Sequence, residues 1–269
     1  MYRISELYVY PIKSMGGISL KSARLTDTGF AFDRYWMLVD SNRKCLTQRE
    51  FPVMALFQVQ FIAEGIKVIF NDTAVAIPNT TTTTSTMECR IWEDTVWAVE
   101  VSGEVSKWFS KHLGQQVRLV CMAPNSVRYV KRHAPSKVHF PDSSPYLVVG
   151  EAALGYLNEK NNSPIPMDRF RPNIVFQGGA PHEEDTWQTI QIGNCNFENT
   201  KACARCTVIT IDQKTGKQGE EPLLGLSKYR LQDRKILFGQ YFKVVQNFGE
   251  WIRVGDTLDV LKRKTPLSP

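Results

Sequence analysis

The chain has 269 residues, 42% of them hydrophobic and 22% charged, with a formal net charge of +6. This is ordinary globular composition, sufficient for one large or two modest domains, and it excludes a disordered or fibrous chain. The positive excess forms no arginine–glycine tract and no basic helix, which argues against nucleic-acid binding. No apolar run nears the roughly 18 to 20 residues of a membrane span.

The N-terminus, Met1-Tyr2-Arg3-Ile4-Ser5-Glu6, lacks the charged-then-apolar pattern of a signal peptide, so a cytoplasmic protein is expected. Six cysteines are too few for a disulfide scaffold and are expected as thiols. Cys45, Cys89, Cys121 and Cys195 stand alone and read as small buried hydrophobes.

The first half reads as strands. Phe57–Phe61 and Thr95–Val101 alternate apolar and polar residues, a period of two that puts one face of an antiparallel sheet on a core. Between them the threonine-rich run Thr80–Thr86 has no apolar face and reads as a loop. Val105, Trp108, Phe109, His112 and Leu113 fall on one helical stripe, with Ser102 placed as N-cap and Gly114 just past the end. His112 on that stripe reads as a core or rim residue rather than a ligand.

Residues 1–120 are therefore expected as an N-terminal β-rich domain, with Cys121–Ser126 leading into a second domain over 121–262 and a solvated basic tail, Lys262-Arg263-Lys264, opening the terminal 263–269. The basic stretch Val127–His133, with Lys13, Arg34, Arg49, Arg171 and Arg205, is suited to a small polyanion.

In the second half, Pro145–Val149 is a buried run followed by a short helix over Ala152–Lys160. Ile174–Phe176 is a strand ending at Gly178-Gly179, and Gly193-Asn194 suits a tight turn between strands. Strands this short and closely spaced favour a barrel over a doubly wound sheet. No regular βαβ alternation, dinucleotide fingerprint or phosphate loop is present.

The most informative stretch is Ala202-Cys203-Ala204-Arg205-Cys206-Thr207, followed by the β-branched Thr207–Ile211, which reads as a strand. Thiolates suit soft metals, and an arginine between them offers a planar fork to phosphate or carboxylate. A structural zinc site would need two more ligands, and the four histidines show no paired spacing. A thioredoxin-like pair would open a helix rather than a strand. Two thiols packed at a strand edge with no chemistry remain an open alternative.

Several separated motifs, in order along nearly the whole chain, resemble the MOSC family, named for the C-terminal domain of molybdenum cofactor sulfurase. They are Tyr10-Pro11-Ile12-Lys13-Ser14, Asp33-Arg34-Tyr35-Trp36, Ser144-Pro145-Tyr146-Leu147, Phe170-Arg171-Pro172-Asn173, Asp185-x-Trp187, Cys203-Ala204-Arg205-Cys206, Leu237-Phe238-Gly239-Gln240-Tyr241 and Val254-Gly255-Asp256. The likeness is most specific to amidoxime-reducing components and bacterial reductases of N-hydroxylated bases.

The resemblance implies a mainly β fold, an N-terminal β-barrel-like domain followed by a MOSC barrel with a few short helices. It implies a molybdenum–molybdopterin cofactor whose metal is held by Cys206, with Cys203 a neighbour. Phosphate and pterin contacts then fall to Lys13, Ser14, Arg34, Ser143, Ser144, Arg171, Ala204, Arg205 and Tyr241. Where many relatives have serine, Ala204 can contribute only its backbone. The implied activity is reduction of small N-hydroxylated compounds by oxygen-atom removal; the alternative is a carrier of cofactor or of a Cys206 persulfide without turnover. Some bacterial relatives continue into an iron–sulfur domain, but no cysteine follows Cys206 here, so a separate electron-donor protein is expected.

Overall fold

Seven strands close into a barrel in the order Tyr146–Gly150, Ile174–Gln177, Tyr2–Val9, Thr257–Arg263, Trp187–Ile192, Cys195–Ala204 and Lys235–Val244, the last pairing back to the first. The computed structural model describes residues 1–130, 136–161 and 163–265. Tyr146–Gly150 and Ile174–Gln177 run parallel and the other ring neighbours antiparallel. The parallel pair is joined across the helix Glu151–Glu159, a single βαβ crossover where no regular alternation is legible. Tyr2–Val9, from the region expected as the first domain, is a full member of this barrel.

Alternation places Ile4, Leu7, Tyr146, Val148, Phe176, Trp187, Ile190 and Phe197 in one buried cluster. Leu147 and Val149, on the opposite face of their strand, pack with Ala153 and Leu157 of the helix and with Phe170, Cys203 and Phe238. That strand is covered on both sides, as its unbroken apolar sequence requires. Closure needs Gly239, whose φ is +79° and whose added Cβ would sit 2.9 Å from the Val148 carbonyl oxygen.

The first half of the chain supplies a four-stranded antiparallel sheet, Trp36–Asp40, Val117–Met122, Asp94–Glu100 and Thr86–Ile91, and a three-stranded one, Gln58–Ile62, Gly65–Phe70 and Thr73–Pro78. They share a core with the helix Gly103–Leu113, whose Val105 and Phe109 are buried and which ends at Gly114 in the left-handed conformation. Ser102 occupies the N-cap position, but its hydroxyl makes no capping bond. His112 lies at the rim, its Nε2 3.0 Å from the Thr73 hydroxyl and its ring against Phe70 and Trp108. Among the described residues no helix is long and apolar enough to cross a membrane.

Three local expectations are corrected. Thr207–Thr210 is a 3-10 turn, not a strand: the sheet ladder ends at Ala204, and the Thr210 hydroxyl donates to the Thr207 carbonyl at 2.7 Å, closing the turn. Tertiary position overrides β-branched propensity here. Lys262 and Arg263 belong to the last barrel strand, and Arg263 pairs with Glu183 at 2.9 Å. Lys264 Nζ bonds the Asn199 side-chain oxygen at 2.7 Å, so this basic triplet is no free tail; residues 266–269 lie outside the described residues. Arg128 is buried against Asp94 at 2.8 Å and donates to the Pro141 carbonyl, so it supports a loop rather than facing an anion. Lys131, Arg132 and His133 of the same stretch lie outside the described residues.

Candidate functional site

A cavity of about 450 Å³ opens where loops of the first half meet the end of the barrel. Its wall contains Lys13, Ser14, Arg34, Ser143, Ser144, Arg171, Ala204, Arg205, Cys206 and Tyr241, every site residue expected from the sequence. Arg49, Trp92, Asp142, Arg169 and Asn173 line it too.

The two cysteines of the motif part company. Both line the cavity, but Cys203 is buried in the apolar cluster with Phe170 and Phe238, while Cys206, two residues beyond the strand, is partly exposed. Arg49 Nη2 lies 3.3 Å from its sulfur. The Arg49 guanidinium rests 4.5 Å above Trp92, whose indole N–H donates to Asp142 at 3.0 Å. Lys13 is buried, donates to the Phe140 carbonyl at 2.9 Å and pairs with Asp142. Burial alone would raise the Asp142 carboxyl, but Lys13, with Trp92 and Arg49, holds it well below the usual carboxylate range.

Four more arginines line the cavity: Arg34, Arg169, Arg171 and Arg205. Arg34 forks onto Asp33 at 2.7 and 2.8 Å and reaches the Asn173 side-chain oxygen at 3.2 Å. Asn173 is itself fixed, accepting from the Leu147 amide and donating to the Tyr8 carbonyl. Arg205 donates to the Phe238 and Phe170 carbonyls at 2.8 Å each, which leaves its buried Nη2 without a partner. The Ser143 hydroxyl is likewise buried and unpartnered, whereas Ser144 is tied to Thr200 at 2.7 Å. Burial, with Cys203 beside it, pushes the Tyr241 phenol well above its ordinary value and keeps it protonated.

Ser14, Arg34 and Arg171 all have positive φ, at 67°, 45° and 53°. Non-glycine residues in this region are uncommon and cluster at functional sites, where surrounding structure enforces them. The cavity thus combines one accessible thiol, an excess of fixed cations and buried donors lacking acceptors. That combination suits a polyanionic ligand bearing a soft metal.

Arg49 belongs to the basic set legible in the sequence, but its place beside the sulfur is not. Trp92 and Asp142 carry no local sequence signal, and Asn173, though part of the Phe170–Asn173 motif, is assigned no role by it. Among the described residues no cluster of three or more His, Cys, Asp or Glu side chains could hold a metal ion, so any metal here would depend on ligands other than such a cluster.

The comparisons agree along the chain. Residues 1–116 match the model of the MOSC N-terminal beta barrel domain, and residues 135–259 that of the MOSC domain. Mitochondrial amidoxime-reducing component 1 of Mus musculus is 31% identical, over 96% of this chain and 82% of that protein. Mitochondrial amidoxime reducing component 2 of Homo sapiens is also 31% identical, over 94% of this chain and 82% of that protein. Molybdenum cofactor sulfurase of Danio rerio is 30% identical over 88% of this chain but 31% of its own length. With both domains matched in order and relatives this similar over most of their length, the chain belongs to the MOSC family, among its members that carry the N-terminal β-barrel domain.

Proposed function

We propose that this protein is a molybdenum-cofactor-dependent reductase of N-hydroxylated compounds, namely hydroxylamines, amidoximes and N-hydroxylated bases. The observation that carries this reading is the shared cavity of Cys206 with the buried, unpartnered Ser143 hydroxyl and Arg205 Nη2. Buried donors without acceptors are costly, and a phosphorylated, heteroatom-rich ligand satisfies them. The residues present therefore fit a molybdenum–molybdopterin cofactor.

In this reading Cys206 holds the metal. Lys13, Ser14, Arg34, Ser143, Arg171 and Arg205 hold phosphate and pterin groups, Ala204 through its backbone, with Ser144 and Tyr241 completing the wall. When bound, the cofactor supplies the two-electron chemistry that removes oxygen from nitrogen. Arg49 orients the sulfur side, and Trp92 narrows the approach for a small substrate. Electrons come from a separate donor protein. The names of the amidoxime-reducing relatives support this choice of substrate class.

The similarity to molybdenum cofactor sulfurase favours one other reading, a carrier of cofactor or of sulfur on Cys206. A single experiment separates the two. Protein from a cofactor-making host is analysed for molybdenum and pterin beside Cys206→Ala, then given benzamidoxime with a chemical reductant. Near-stoichiometric metal, lost in the variant, with amidine formed by the wild type supports the reductase. Loaded protein without turnover favours the carrier, and wild type without metal or pterin sinks both cofactor readings.

A further inference from the structure

Tyr10 is 2% exposed, and two guanidiniums rest on its ring. The central carbons of Arg34 and Arg171 each lie 4.3 Å from its centroid. Two like charges on one ring repel, so their placement needs a cause. Arg34 is balanced by its fork onto Asp33. Arg171 is not balanced: no acceptor among the described residues takes a hydrogen bond from its guanidinium, and burial pulls its pKa down to about 10. A partly buried guanidinium without a counter-charge is costly unless an anion covers it.

The backbone binds the set together. The Tyr10 amide donates to Asp33 at 2.9 Å, and the Tyr10 carbonyl accepts the Arg34 amide at 2.8 Å. Arg34 Nη2 reaches the Arg171 carbonyl at 3.3 Å. Tyr10, Asp33 and Arg34 thus form one fixed unit, and the open hydrogen-bonding edge is that of Arg171.

We propose that Tyr10 is a positioning residue that holds Arg34 and Arg171 as two halves of one phosphate clamp, with the Arg171 edge making the contact. The proposal rests on the reading of the cavity as the seat of a phosphorylated ligand. The attraction is between cation and electron-rich ring face, so the electron density of the ring, and not its volume alone, sets the grip.

The test is calorimetric binding of inorganic pyrophosphate to the purified full chain at low ionic strength. It compares the wild type, Tyr10→Phe, and Tyr10→Phe with one, two or three ring fluorines, which drain the ring face while nearly keeping its shape. Tyr10→Phe is expected to bind within about threefold of wild type, and the trifluorinated ring about tenfold more weakly, at matched melting temperature. Arg171→Gln is expected to remove most of the binding. Equal affinity across the fluorine series overturns the proposal, as does a wild type that does not bind pyrophosphate. Molybdenum and pterin content is a separate readout, so failure of the reductase reading and failure of the clamp are told apart.

Discussion

Arg49 Nη2 stands 3.3 Å from the Cys206 sulfur, and the two residues come from opposite halves of the chain. The arginine is steadied by its stack on Trp92 and lies 3.9 Å from Asp142. The environment of the sulfur is therefore set as much by the first half as by the motif that carries it. Groups that orient a metal ligand typically affect metal affinity by about 10- to 100-fold. On the proposed reading that Cys206 holds the metal, Arg49→Leu is expected to lower the molybdenum retained through gel filtration by about tenfold. Retention equal to wild type would show that the sulfur needs no such neighbour.

Native alkylation offers a direct check on the geometry of the motif. Cys45, Cys89, Cys121, Cys195 and Cys203 are buried and Cys206 is not. Iodoacetamide on the folded, metal-free protein is expected to modify Cys206 first and Cys203 only on unfolding, as read by peptide mass spectrometry. Equal labelling of the two would contradict the burial of Cys203.

Asp142 is the hub for Lys13, Trp92 and Arg49, and its carboxyl is held below its ordinary value. A depressed carboxyl contributes stability above the unfolded pKa and loses it as pH falls from about 4 towards the folded value. The Asp142 side chain is 48% exposed, so solvent screens these contacts and Asp142→Asn is expected to cost only about 0.5 to 1 kcal/mol in urea unfolding at pH 7. It should also flatten the fall in stability below about pH 4.

Glu184 has the opposite sign. It is fully buried, one carboxyl oxygen accepts the Gly150 amide at 3.3 Å, and the other has no partner. Burial, then Asp185 beside it, raises its pKa to about 7. The native protein holds this proton more tightly than the unfolded chain. Its share of stability is complete below about pH 4.5 and is lost as pH rises towards about 7. Glu184→Gln is expected to be more stable than wild type by about 1 to 3 kcal/mol at pH 8, with the gap closing at pH 5. A gap independent of pH would exclude titration as its source.

Gly17 lies against the tyrosine of the clamp: an added Cβ would stand 2.5 Å from a Tyr10 ring carbon. Gly17→Ala is expected to cost about 1 to 3 kcal/mol, because a packed ring has nowhere to move. Measured by thermal melting, a loss below about 0.5 kcal/mol would mean that the ring is free to shift.

Local signals were legible where structure is local. Helix Gly103–Leu113 followed its apolar period and stopped at Gly114, and Gly193-Asn194 turned between paired strands. Thr207–Thr210 misled because β-branched residues read as strand while the chain was obliged to leave the sheet and turn Cys206 into the cavity. The basic residues of the site could be gathered by charge and family likeness. Asp142, which joins Lys13, Trp92 and Arg49, could not, because its partners lie far away in the sequence and nothing around it announces them. The membership of Tyr2–Val9 in the barrel was hidden for the same reason: strand partners this distant leave no periodic trace.

That strand has a consequence for how the molecule is made. Tyr2–Val9 pairs with Ile174–Gln177 on one side and Thr257–Arg263 on the other, with Tyr2 opposite Leu258. Its Leu7–Val9 end pairs with the nearby Ile18–Leu20, but its two barrel neighbours lie far along the chain, and such long-range closure slows folding. Within this chain, one edge contact forms locally while barrel closure around Tyr2–Val9 waits for strands from the middle and the far end of the sequence.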